Sequence, residues 1–370
     1  MKQLILIIIL VIFLSILVGA NIYISRRFSL FFDITNLKML YVITGFLTIF
    51  MIAGVMGASN SISFTGHIIY IIAGITMGLL LYLLISTILV DVIRLFTNFK
   101  PLVYGLIIIG FTLSVSIYGI WNSFNLKVTK IDIPVSGLTN DIKAMHLSDI
   151  HIGHFRGRDW LQQIVDKTNK QNVDVVFITG DLFDGRINMN LKTLEPLKKL
   201  NAPVYFVEGN HDGYSGVNEI KSLLREIGVD VLENEVTHFG EIQIIGLVHM
   251  LADSSSVNMH SGGHSKTIKS VLATLNINKD KPTVLLHHSP DGIQFANENG
   301  IDVYLAGHTH GGQLFPINYI ANLIFKYNKG LHDYNGTKIF VTEGAGTFGP
   351  PMRVATKSEI TVINLNPIKK

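Results

Sequence analysis

The stretch Val173-Asp174-Val175-Val176-Phe177-Ile178-Thr179-Gly180-Asp181-Leu182-Phe183-Asp184 decides the fold of the C-terminal part of this 370-residue chain. Val, Ile and Phe dominate its first seven residues, the composition of a strand buried on both faces. Gly180-Asp181 then ends the run with a turn signal, and two carboxylates, Asp181 and Asp184, lie in that turn. Similar apolar runs occur at 142–147, 204–207, 242–247, 283–286, 303–306, 338–342 and 360–365. They alternate with helix-period segments at 159–170, 191–200, 217–227, 266–275 and 292–299, which predicts an α/β fold. After the strands come side chains able to bind metal: Asp149 and His151, Asp181 and Asp184, Asn210 and His211, His287 and His288, His308 and His310. Carboxyl ends of strands on one sheet edge converge in space, and open α/β folds place their sites there.

Each cluster taken singly has a plain alternative. Asp-x-His is a turn with a capping aspartate, Gly-Asp is a common turn, and His-Thr-His between glycines is a surface bend. In this order, however, Asp149-Ile150-His151, Gly180-Asp181-Leu182-Phe183-Asp184, Gly209-Asn210-His211-Asp212, His288-Ser289-Pro290 and Gly307-His308-Thr309-His310 resemble the calcineurin-like metallophosphoesterase superfamily. Gly311-Gly312-Gln313 and Gly344-Ala345-Gly346 are similar to a pattern of its bacterial membrane-associated branch. The resemblance implies a four-layer α-β-β-α sandwich over 125–370 and a metal-dependent phosphoric ester hydrolase, a phosphatase or phosphodiesterase.

It also implies two divalent metal ions, since two cations about 3.5–4 Å apart neutralise a phosphoester and activate water. The first would take Asp149, His151, Asp181 and His310. The second would take Asp181, Asn210, His288 and His308, with Asp181 bridging. Carboxylate and imidazole ligands suit manganese, iron or zinc, and the chain has no cysteine to supply a thiolate. The resemblance makes His211 a proton or hydrogen-bond donor to the leaving group and Asp184 the carboxylate that orients it, against a helix N-cap as the alternative for Asp184. His287 is expected to be a satisfied neighbour. His154, His249, His260 and His264 read as solvated loop residues, and Arg353 as a brace of the closing strands rather than a phosphate ligand.

Residues 1–124 form a different region. The chain is 48% hydrophobic and only 15% charged, and the apolar excess lies before Asn122. Apolar stretches at 4–24, 39–58, 68–92 and 102–121 each approach the ~20 residues that cross a hydrocarbon core, so four transmembrane helices are predicted. The breaks hold Arg26, Arg27 and Asp33, then Asn60 and Ser61, then Arg94, Asn98 and Lys100, with Pro101 starting the fourth helix. No Asp, Glu, Lys or Arg lies inside the first, second or fourth span, which argues against an ion path.

With four crossings, Arg26, Arg27, Lys38, Arg94 and Lys100 face one side and Lys2, Lys127 and Lys130 the other. The positive-inside rule then places the catalytic region outside the cytoplasm, at the cell membrane. Val18-Gly19-Ala20 is also compatible with signal-peptide cleavage. Net charge is +3 and basic residues after Lys127 are mixed with acidic ones, so nucleic-acid binding is not expected. The partners expected are a phosphorylated substrate and the bilayer.

Residues 253–265, rich in Ser, Gly and His, read as a surface loop. The run 313–327 holds two Phe and two Tyr and no acidic residue. Two placements are open for it: the membrane interface beside the site, which would favour a lipid-linked substrate, or packing on the second sheet.

Overall fold

A computed structural model describes residues 2–254 and 266–368. Most of the loop expected at 253–265, with His260 and His264, therefore lies outside the described residues. The chain divides into two compact units, Met1–Trp121 with Gly349–Met352, and Asn122–Phe348 with Arg353–Lys370.

The first unit holds the helices α1 (Lys2–Phe32), α2 (Leu37–Ala58), α3 (Phe64–Arg94) and most of α4 (Pro101–Ser123), all long and apolar enough to cross a membrane. Val42, Phe46 and Ile49 of α2 are exposed at helical spacing. An outward apolar stripe of that kind suits lipid and not water. Hydroxyl pairs join the helices inside, Ser25 to Thr44 at 3.0 Å and Ser86 to Thr112 at 2.8 Å, as polar groups do where water is absent. The structure corrects the first break: Arg26 and Arg27 lie within α1, and the chain turns only at residues 33–36. Arg27 Nε pairs with Asp91 Oδ2 on α3 at 2.6 Å, and Arg94 donates to Asp91 Oδ1 at 3.2 Å, so the helix carries its charge through without ending.

The second unit is built on two mixed six-stranded sheets. The strands are β1 (Lys127–Val135), β2 (Ile142–Leu147), β3 (Ile152–Gly153), β4 (Val175–Thr179), β5 (Phe183–Asp184), β6 (Val204–Val207), β7 (Asp230–Val231), β8 (Glu235–Phe239), β9 (Ile242–Gly246), β10 (Thr283–Leu286), β11 (Val303–Ala306), β12 (Gly330–Tyr334), β13 (Thr337–Val341) and β14 (Glu359–Pro367). One sheet runs β1-β14-β2-β4-β6-β7, the other β12-β13-β11-β10-β9-β8, and β3 pairs with β5.

Period-two alternation assigns each strand residue to a layer. Val175 and Phe177 of β4 join Ile244, Leu286 and Leu305 of the other sheet in the core between the sheets. Val176 and Ile178 point the opposite way, onto Leu161, Ile164 and Leu224 of α5 (Arg158–Asn169) and α6 (Val217–Glu226). On the far side, Leu285 and Ile339 meet Val271 and Phe295 of two short helices, Ile268–Leu272 and Ile293–Glu298. The result is the expected α-β-β-α sandwich.

Strand β1 was not expected. It is an edge strand, half-exposed and polar, and an edge tolerates Pro134 because one side of its ladder is unpaired.

Candidate metal centre

β2, β4 and β6 are mutually parallel, as are β10 and β11. Their carboxyl ends deliver the predicted residues from both sheets and not from one: Asp149, His151, Asp181, Asp184, Asn210 and His211 from the first, His288, His308 and His310 from the second. The backbone there is unusual. Asp149, His151, Asp181, His308 and His310 all have positive φ, between 50° and 72°. A side-chain residue in that region costs about 1–2 kcal/mol, and such strain gathers where surrounding structure over-determines a functional geometry. Here it folds each loop sharply back, so that side chains from separate strands share one space.

Gly209 and Gly307 explain how close the packing is. A Cβ on Gly307 would lie 2.1 Å from Asp149 Oδ2, and one on Gly209 would lie 2.1 Å from Asp181 Oδ1. Only hydrogen fits at these two positions.

Among the described residues three groups of possible ligand atoms result: Asp149 with His151 and His310, all buried; Asp181 and His288, buried, with half-buried His308; and buried His151 with half-buried Asp184 and His211. His310 Nε2 lies 3.3 Å from Asp149 Oδ1 and 3.1 Å from His151 Nε2. Asp181 Oδ2 is 3.8 Å from His151 Nε2 and 3.1 Å from His288 Nε2, so it faces the first two groups. Asn210 Oδ1 is 3.0 Å from His308 Nδ1.

Whether these atoms suit a cation can be judged from their protons. His288 Nδ1 donates to the Thr179 carbonyl at 2.8 Å, which turns the lone pair of a neutral His288 Nε2 toward Asp181 Oδ2 and His308 Nδ1, the latter at 3.3 Å. Acceptors converging on acceptors repel unless positive charge stands between them. Burial works against a charge on His288, but Asp181 and Asp149 favour it and raise His288 to about 9. Burial pushes His151 down to about 3 and His310 well below its usual value, so both present neutral nitrogens. Asp149 is raised to about 6 by burial, whereas His288 and His211 hold Asp181 well below the carboxylate range despite its burial. A mixed oxygen and imidazole set of this kind fits divalent metal ions.

His211 stands at the rim, its side chain 23% exposed, whereas Asp149, His151, Asp181, Asn210, His288 and His310 are buried and His308 is half-buried; the His211 Nδ1 lies 2.9 Å from Asp184 Oδ1. Burial lowers it, but Asp181 and Asp184 outweigh that and raise it to about 9. Its backbone N–H also donates to Asp181 Oδ1 at 2.8 Å. His287 is turned away, with Nδ1 2.8 Å from the Ser289 carbonyl and 2.9 Å from Tyr304 Oη. Arg353 is fully buried and donates to the carbonyls of Gly346 and His310.

The solvated reading of His154 and His249 is corrected. Both are buried, and the His249 ring lies 5.6 Å from His288 and 6.0 Å from His308. Asp212, quoted in the motif without a role, proves to be a tie: its carboxylate accepts from Gly209 N at 2.9 Å and Phe183 N at 3.0 Å, joining the β6 loop to the β4 loop.

The run after His310 contains a further helix, α7 (Ile317–Ile324). Leu314, Ala321 and Tyr327 pack inward, while Phe315, Tyr319, Ile320, Leu323 and Ile324 are exposed. Phe325 lies 5.8 Å from the His308 ring, and Phe348 5.2 Å from His310.

Residues 142–312 match the calcineurin-like phosphoesterase family. A protein named "uncharacterized metallophosphoesterase" from Helicobacter pylori is 34% identical over 268 residues, 70% of each chain. One of the same name from Aquifex aeolicus is 30% identical over 67% of this chain and 95% of its own. The likeness is not confined to bacteria, because a Danio rerio "transmembrane protein with metallophosphoesterase domain" is 34% identical over 72% of this chain and 63% of its own. Identity of this extent, carried by a fold that gathers the motif residues around one pocket, makes the chain a membrane member of the calcineurin-like metallophosphoesterases, metal-dependent hydrolases of phosphoric esters.

Proposed function

We propose that residues 125–370 hydrolyse a phosphomonoester, phosphodiester or pyrophosphate bond outside the cytoplasm, with residues 1–124 as the anchor. Asp149, His151, Asp181 and His310 would hold one cation, and Asp181, Asn210, His288 and His308 the other; manganese, iron and zinc all suit these ligands. The cations supply the positive charge that neutralises the phosphoryl oxygens and favours attack by water.

The chain's own contribution beyond the ligands is His211. The observation that carries this reading is the pairing of His211 Nδ1 with Asp184 Oδ1 at 2.9 Å beside the candidate ligand set. Asp184 fixes the ring so that Nε2 presents a proton to the leaving-group oxygen.

The exposed face of α7 supports a phosphate-bearing lipid as substrate. Among the described residues, six of the eleven exposed large apolar side chains after Asn122 lie between Phe315 and Ile324. This concentration suits an interfacial surface next to the site.

The test is hydrolysis by the purified full-length protein with manganese, using an aryl phosphate, a cyclic nucleotide and a micellar lipid phosphate, with Asp181→Asn as control. Loss of the bridging carboxylate should abolish turnover on every substrate. An Asp181→Asn protein with wild-type turnover at saturating metal would refute the two-cation arrangement.

A further inference from the structure

The last two residues of α4, Asn122 and Ser123, belong to the catalytic unit. Asn122 Nδ2 donates to the carbonyls of Arg353 and Thr356, at 3.0 and 2.9 Å, and is buried. It thereby pins the turn from which the Arg353 side chain reaches beneath His310. There the guanidinium donates to the His310 carbonyl at 3.2 Å and the Gly346 carbonyl at 2.8 Å, and Nη2 lies 3.1 Å from His310 Nδ1.

A second path starts at Ser123. Its carbonyl accepts from Arg156 Nη2 at 2.9 Å and from Ser358 Oγ at 2.7 Å. Arg156, also buried, donates through Nη1 to Thr347 Oγ1 at 2.7 Å, and the neighbouring Gly346 N–H donates to the Asp149 carbonyl at 2.6 Å. Two guanidinium groups buried largely on neutral acceptors are costly to keep, so the groups they fix are held firmly. The first path ends on His310 and the second on the Asp149 carbonyl. Among the described residues Asn210 and His288 receive no bond from Arg156 or Arg353; His288 is tied instead to Thr179, and the His308 N–H to the Asp149 carboxylate.

We propose that Asn122, Arg156 and Arg353 are positioning residues that set the first cation site, and not the second, from the end of the fourth spanning helix. The inference rests on the two-cation reading above. A bond network that orients a metal ligand typically contributes 10–100-fold in metal affinity.

The test uses full-length protein in detergent, titrated with Mn²⁺ while free Mn²⁺ is followed by electron paramagnetic resonance. Asn122→Asp keeps the shape but turns two donated bonds into carboxylate–carbonyl repulsion. Thr347→Val removes one hydroxyl at nearly constant volume, and keeps the test open should the first variant not fold. Each variant should weaken one of two cations tenfold or more, leave the other unchanged, and keep the thermal midpoint of the metal-free protein within a few degrees. A wild type that binds two cations, with variants that lose both equally or neither, would overturn this inference alone. A wild type that binds only one would overturn the two-cation reading and this inference with it.

Discussion

Gly209→Ala makes the sharpest demand on the geometry. The new methyl carbon would stand 2.1 Å from Asp181 Oδ1, 2.5 Å from Asp181 N and 2.8 Å from Asp181 Cγ. Ordinary contact begins near 3.4 Å, so Oδ1 must retreat by the difference from 2.1 Å, about 1.3 Å. Rotating the carboxylate alone does not suffice, because the backbone nitrogen is also in the way. The retreat breaks the bond from His211 N to Asp181 Oδ1. Overpacking costs roughly 1–3 kcal/mol, and loss of a hydrogen bond to a charged acceptor roughly 1.5–3 kcal/mol, so about 3–5 kcal/mol of stability should go.

A displacement of order 1 Å in the carboxylate assigned to both cations should cost about 10²-fold in turnover. The assay is thermal unfolding of the metal-free protein, manganese stoichiometry, and hydrolysis of an aryl phosphate. Gly213→Ala is the control: it lies four residues along the same loop and helix, and nothing stands within 4 Å of its added Cβ. The reasoning is refuted if Gly209→Ala matches Gly213→Ala in all three measurements.

His211→Ala should keep the metal content of the wild type and lose on the order of 10² or more in turnover; a missing cation on metal analysis would make His211 a ligand. Asp184→Asn removes one of the carboxylates that raise His211. The imidazolium should then lose its proton at lower pH, moving the alkaline limb of the rate profile down by roughly 1 unit or more; an unmoved limb would remove Asp184 from this role. Phe315→Ser and Ile320→Ser change exposed side chains, so they should spare hydrolysis of a soluble aryl phosphate and reduce that of a micellar lipid phosphate. Equal loss on both, with lowered thermal stability, would make these residues structural. A reporter fused after Lys370 should be active outside the cytoplasm, and activity only inside would reverse the orientation.

Much of this protein is legible without coordinates because its strongest signals are local. Twenty apolar residues need lipid whatever surrounds them, so four spanning helices follow from composition. Buried parallel strands such as 175–179 and 303–306 are continuous apolar runs, and a ligand that follows such a run must sit at a strand end. Residue type then limits the chemistry, since Asp, Asn and His without Cys hold hard and borderline cations.

What tertiary structure decided is what depends on contacts distant in sequence. The candidate ligands come from two sheets because β2, β4 and β6 face β10 and β11 across a shared core, which no strand pattern reveals. His154 and His249 are polar loop residues by sequence, and only the fold covers them. α1 runs on past Arg27 because Asp91, 64 residues away, neutralises the charge. The left-handed backbone of five predicted ligands and the ties from Asn122 and Ser123 to the metal pocket belong to the same class. Strain and buried polar bonds persist only when the rest of the molecule holds them in place, so they are properties of the assembled fold and not of any segment.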